Sequence, residues 1–107
     1  MLRTMPQHRL CSLEDAPKAG AAASFAAAGK AIALFNISGQ FHAIEDSCPH
    51  MYFPLSDGDI AGCVVTCAYH GWQFDIGTGK SLMSEHIRVK RFDVHVRDGA
   101  VWIELLT

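Results

Sequence analysis

The sequence predicts an all-β fold, and three observations predict it. Two segments read as β-hairpins, a stretch rich in Gly, Pro and Asp lies between them, and 107 residues is the length of one domain. The first hairpin is "KAIALFNISGQFHAIED". Ile32 and Leu34 alternate with smaller residues, Ser38-Gly39 makes the turn, and Phe41, Ala43 and Ile44 return. The second is "VKRFDVHVRDGAVWIELL", where Asp98-Gly99 separates Val89, Phe92, Val94 and Val96 from Val101, Ile103 and Leu105. Upstream, "GAAASFAAAGK" has helical propensity. It is short and flanked by glycines, so an edge strand is the expectation.

The composition is that of an ordinary globular protein, 50% hydrophobic and 19% charged, with a net charge of -2. No basic stripe favours nucleic acid or an anionic membrane surface. No apolar run approaches the roughly 18–20 residues of a membrane span, and the N-terminal residues do not read as a secretory signal. Four cysteines in such a chain argue against a disulfide framework and fit a reducing cytoplasm. Cys11 and Cys63 lie in apolar stretches and are expected as buried core thiols.

The remaining cysteines stand beside histidines. Cys48-x-His50 is followed by sixteen residues and then Cys67-x-x-His70. Thiolate and imidazole together point to a metal. A structural zinc site is one reading, since two Cys and two His are a common zinc set. Zinc sites usually pair Cys with Cys and His with His, whereas each stretch here supplies one of each. That suits a binuclear centre in which the cysteines take one iron and the histidines the other. Gly71, directly after His70, meets the need for small size or unusual dihedrals where a chain folds over a cluster. "WQFDIGTGKS" then reads as a short strand and a Gly-rich turn.

With these residues the chain resembles the Rieske [2Fe–2S] domains, whose signature is C-x-H, a spacer of this order, then C-x-x-H. The resemblance extends through residues 54–82 and more loosely from Arg9 to the C-terminus. It implies one cluster per chain, with Cys48 and Cys67 on the inner iron and His50 and His70 on the outer iron near the surface. It also implies an antiparallel β-sandwich base at about 7–44 and 81–107, with the cluster-binding part at about 45–80 inserted between the two hairpins.

The resemblance carries an expectation about potential. Respiratory members add two cysteines that bridge the cap, at positions held here by Phe53 and Tyr69. They also place hydroxyl donors where Trp72 and Phe74 stand here. Fewer donors to the sulfurs stabilise the reduced state less, which puts the chain with the low-potential ferredoxins and oxygenases of bacterial ring-hydroxylating systems. His8, His42, His86 and His95 show no spacing suited to a mononuclear iron, and the chain is short for an oxygenase. It therefore resembles the stand-alone ferredoxin, a non-catalytic monomer. Such a ferredoxin carries electrons from an NAD(P)H-dependent flavoprotein reductase to a terminal oxygenase.

Two other functions fit: the small subunit of an NAD(P)H nitrite reductase, which shares this fold, and a zinc-stabilised interaction module. Met51, Tyr52 and Trp72 are read either as an apolar docking patch or as cover for the cluster. "SLMSEHIRVKRF" lacks a proline common in the family's loop over the cluster. Glu45, Asp46, Asp57 and Asp59 are expected to be solvated loop carboxylates.

Overall fold

The computed structural model describes residues 6–49 and 52–105. Along them run β1 (Gln7–Ser12), β2 (Ala22–Ala27), β3 (Lys30–Ile37), β4 (Gln40–Glu45) and β5 (Asp59–Ala61). Then come β6 (Val64–Thr66), β7 (Gln73–Asp75), β8 (Arg91–Phe92), β9 (Val94–Arg97) and β10 (Ala100–Glu104). Every pairing is antiparallel. The strands form three sheets, ordered β1-β10-β9, β2-β3-β4-β8 and β5-β6-β7.

The expected hairpins are present. Ser38-Gly39 and Asp98-Gly99 are two-residue turns with positive φ at both positions, 55° and 90° in the first, 52° and 70° in the second. That geometry matches the right-handed twist of the flanking strands. A third such turn, Ala28-Gly29, joins β2 to β3 and turns the alanine-rich segment into an edge strand.

The second hairpin differs from expectation in its first arm. Apolar residues alternate without interruption through Phe92, Val94 and Val96, but the strand breaks at Asp93. Phe92 and Arg91 pair with Ala43 and Ile44 of β4, while Val94 and Val96 pair with Ile103 and Val101 of β10. The segment passes from one sheet to another, and a straight strand cannot serve both. Val96 is consequently exposed rather than in the core, and Val89 is buried but outside any strand.

The β2-β3-β4-β8 sheet is buried on both faces. Ile32, Leu34, Ala43 and Phe92 pack against Cys11, Val101, Ile103 and Leu105 of the terminal sheet and its flank. Ala33, Phe35 and Ile44 face the other way, onto Leu55, Val65, Phe74, Ile76 and Val89. The alternate positions of the first hairpin, which include the large Phe35 and Ile44 as well as Ala33, thus line a second core that carries the short β5-β6-β7 sheet. Cys48 and Cys67 belong to this second core.

Cys11 is buried as expected, and burial, reinforced by Asp15 and opposed by Arg9, pushes its thiol up from the usual cysteine range. Cys63 is only half-buried, because it sits in the short β5–β6 turn behind Gly62 rather than in a strand. No helix among the described residues is long and apolar enough to cross a membrane.

One glycine holds the insert to the returning chain. Gly79 has φ 79°, its N–H donates to the Asp75 carbonyl and its carbonyl accepts from Val89 N–H, both at 2.8 Å. A Cβ there would lie only 2.2 Å from the Val89 carbonyl oxygen. Gly79→Ala therefore combines left-handed strain with overpacking and should cost about 2–4 kcal/mol. A drop in denaturant midpoint at unchanged slope is the expected result.

Candidate metal centre

Two loops project from the insert, residues 48–53 after β4 and residues 67–72 between β6 and β7. They close by the same backbone pattern. Cys48 N–H donates to the Phe53 carbonyl at 2.8 Å, and Tyr52 N–H to the Cys48 carbonyl at 2.6 Å. Cys67 N–H donates to the Trp72 carbonyl at 2.7 Å, and Gly71 N–H to the Cys67 carbonyl at 3.0 Å. In each loop the cysteine opens a six-residue ring whose fifth residue is left-handed, Tyr52 at φ 62° and Gly71 at φ 72°. Glycine meets this requirement in the second loop without strain. In the first, a tyrosine that is 79% exposed occupies the slot, at a cost of order 1–2 kcal/mol.

Burial divides the candidate ligands. Cys48 and Cys67 have 0% and 1% exposure, against the packed face of Leu55, Val65 and Phe74. His70 is exposed. His50 and Met51 lie outside the described residues. No disulfide joins any of the four cysteines. Among the described residues no three His, Cys, Asp or Glu side chains form a group able to hold one metal ion. A binuclear cluster makes a different demand, two protein ligands for each iron. Cys48 and Cys67, both buried in the second core, meet it for one iron, and the exposed His70 is a candidate for the other.

A buried carboxylate fixes the first loop, contrary to the expectation of a solvated rim. Asp46 accepts from the Ser56 N–H and hydroxyl, both at 2.7 Å, while its own N–H donates to the Ala31 carbonyl at 3.0 Å. The two residues flank the loop, so their side-chain contact draws its ends together. Asp46 is buried because both carboxylate oxygens find donors there. Glu45 accepts from Lys90 N–H, and Asp57 and Asp59 are exposed. The second loop stands on the Thr66–Gln73 pair, where Gln73 Nε2 donates to Thr66 Oγ1 at 3.3 Å.

The other histidines lie elsewhere. His95 Nε2 is 2.6 Å from Glu104 Oε2, and His8 Nε2 is 3.2 Å from the Leu105 carbonyl oxygen. His42 is half-buried in β4, and His86 is exposed beside Glu85. Of the expected apolar patch, Tyr52 is exposed and Trp72 is half-buried. Sequence reasoning named Tyr69 only as the position of an absent bridging cysteine and missed Leu82 and Met83; all three are exposed. Leu82 N–H donates to the Gln73 carbonyl at 3.0 Å, which sets it beside the second loop. Only the run of apolar letters in "SLMSEH" signalled it.

The Rieske [2Fe-2S] domain family matches residues 6–93, and the chain belongs to that family. It is accordingly a one-cluster [2Fe–2S] protein. Residues here are 37% identical over 87 positions to the 4beta-methylsterol monooxygenase of Methylococcus capsulatus, covering 70% of this chain but 23% of that protein. The ferredoxin component of the naphthalene 1,2-dioxygenase/salicylate 5-hydroxylase systems of a Ralstonia species is 30% identical over 94 residues, 87% of this chain and 89% of the relative. Among solved structures, one is a complex of reduced oxygenase and oxidized ferredoxin in carbazole 1,9a-dioxygenase. A chain in it is 28% identical with a TM-score of 0.81, over 94% of each chain. A putative NADPH nitrite reductase small subunit is 26% identical with a TM-score of 0.80, over 94% of this chain and 100% of that one.

Asp46→Ala leaves the Ser56 N–H and hydroxyl without their acceptor and should cost about 2–3 kcal/mol. Thermal melting of the iron-loaded protein should show the loss together with faster bleaching. A melting point unchanged from the parent would mean that the Asp46–Ser56 contact does not hold the loop.

Proposed function

We propose that this chain is a one-electron carrier. Cys48 and Cys67 hold the inner iron of its cluster, and His50 and His70 hold the outer iron. The carrier takes electrons from an NAD(P)H-dependent flavoprotein reductase and passes them to a terminal aromatic-ring-hydroxylating oxygenase. The observation that carries the reading is the burial step across the loops, with Cys48 and Cys67 enclosed and His70 at the surface. When bound, the cluster supplies a one-electron redox centre with no open coordination position. The protein's residues do the rest. Leu55, Val65 and Phe74 exclude water from the thiolate side. His70, on the exposed loop, gives electrons a short path to a docked partner.

The match to a ferredoxin component over 89% of that relative's length supports the carrier reading. In this reading residues 1–107 are one domain, working as a cytoplasmic monomer. Its base is at about 7–44 and 81–107, and its cluster-binding part at about 45–80. The alternative, a nitrite reductase small subunit, is favoured only by the likeness of fold to such a subunit.

Reconstitution decides between them. Mixed with a ring-hydroxylating oxygenase and its flavoprotein reductase, the loaded chain should support NAD(P)H-driven turnover, and His70→Ala should not. Turnover only with a nitrite reductase large subunit would select the alternative. A His70→Ala protein that keeps the parent's electron-resonance spectrum would refute the ligand assignment.

The potential is a separate expectation. Phe74 is fully buried and has no hydroxyl to donate towards the sulfurs. The midpoint should therefore lie at the low end of the Rieske range, on the order of -150 mV. Protein-film voltammetry at neutral pH reports it, and a value well above zero would contradict the low-potential grouping.

A further inference from the structure

Each ligand loop is closed by its own backbone, which fixes its shape but not its position against the other loop. A side-chain contact crosses between them. The rings of Phe53, in the first loop, and Tyr69, in the second, are stacked with centroids 4.0 Å apart and planes 25° from parallel. The Phe53 ring also lies 5.5 Å from that of His70, tilted by 42°. One ring therefore meets two consecutive side chains of the opposite loop, and one of them is a candidate ligand. Tyr69 is 59% exposed, so its ring has solvent-facing alternatives. Holding it against Phe53 costs side-chain entropy, which the stacked contact offsets.

We infer that Phe53 is a positioning residue. It clamps the second ligand loop against the first and sets the orientation of the His70 ring. The inference rests on the reading in which Cys48, His50, Cys67 and His70 hold the cluster. A metal-bound imidazole needs its ring plane fixed, a task usually given to a hydrogen-bonding partner on the second nitrogen. Phe53 has no acceptor atom, so its contact can restrain the ring without engaging that nitrogen. The half-buried position of Phe53 suits this part. Its carbonyl is tied to Cys48 N–H at 2.8 Å, so the ring is anchored at the base of its own loop.

The two loops must also stay at the spacing of one cluster, because each supplies a ligand to each iron. A stacked pair of this kind is worth about 0.5–1.5 kcal/mol, which corresponds to a two- to tenfold change in an opening equilibrium.

The test uses the iron-loaded protein with Phe53→Leu, Phe53→Tyr and Tyr69→Leu. Phe53→Leu keeps apolar bulk but removes the ring. Phe53→Tyr keeps the ring. Tyr69→Leu removes the same stack from an exposed position, so it gives an answer even where Phe53→Leu folds poorly. Iron release to a chelator, followed by loss of visible absorbance, should be about two- to tenfold faster in both Leu variants. Phe53→Tyr should restore the parent rate. The electron-resonance spectrum of the reduced protein should broaden in Phe53→Leu, because the His70 ring then samples several orientations; a merely structural loss of stability would leave the line shape alone. Parent-like release and an unchanged spectrum in both Leu variants would overturn the inference, with the ligand reading intact if His70→Ala still abolishes the spectrum. A parent spectrum in His70→Ala would overturn both.

Discussion

The middle sheet is the constraint on which the rest of the molecule depends. β3 sits between β2 and β4, and its side chains alternate between two separate cores. Ile32 and Leu34 serve the core shared with the terminal sheet; Ala33 and Phe35 serve the core beneath the ligand loops. Each fully buried Leu, Ile or Phe contributes roughly 1.5–3 kcal/mol. A small domain's whole net stability is only about 5–15 kcal/mol. The insert therefore depends on the base for a large share of its stability, and a short three-stranded sheet with few residues per strand has little else to rest on.

On that support the two loops solve one problem twice. A cysteine, a closed ring of backbone bonds and a left-handed fifth residue present a buried sulfur and a more exposed flank. The ring sequences differ in where the histidine falls, at the third position in "CPHMYF" and the fourth in "CAYHGW". The first loop gains its closure from Asp46 and Ser56, the second from the ladder of β6 and β7. Both devices act at the ends of the loops, which leaves the outer positions open for side chains such as Tyr52 and Tyr69.

Much of this was legible in the sequence, and the rest was not for definite physical reasons. Ser38-Gly39 and Asp98-Gly99 announce their turns through a polar residue before glycine, whereas at Ala28-Gly29 the glycine alone gives the signal and Ala28 takes φ 50°. The change of sheet at Asp93 was hidden because apolar alternation continues through Phe92, Val94 and Val96 on either side of the break. Asp46 looked like any loop carboxylate, since its partner Ser56 lies ten residues away and nothing in the letters brings them together. The spacing of Cys48, Cys67 and His70 was enough to mark two like loops. It could not show that Tyr52 takes a glycine-like conformation, or that Phe53 reaches across to Tyr69.

The pairing of β1 with β10 sets Gln7 opposite Glu104. The first and last strands thus leave from the same sheet, and the middle sheet separates that sheet from the ligand loops. The described ends, Pro6 and Leu105, are hydrogen-bonded to each other, and Leu105 packs in the core on the side of the middle sheet away from the ligand loops. The module can therefore be spliced into a longer polypeptide, or fixed to a surface, by both ends at once, while the tip carrying Tyr52, Tyr69 and His70 still faces outward. Covalent attachment would draw on the terminal sheet, and the ligand loops would rest on the other face of the middle sheet.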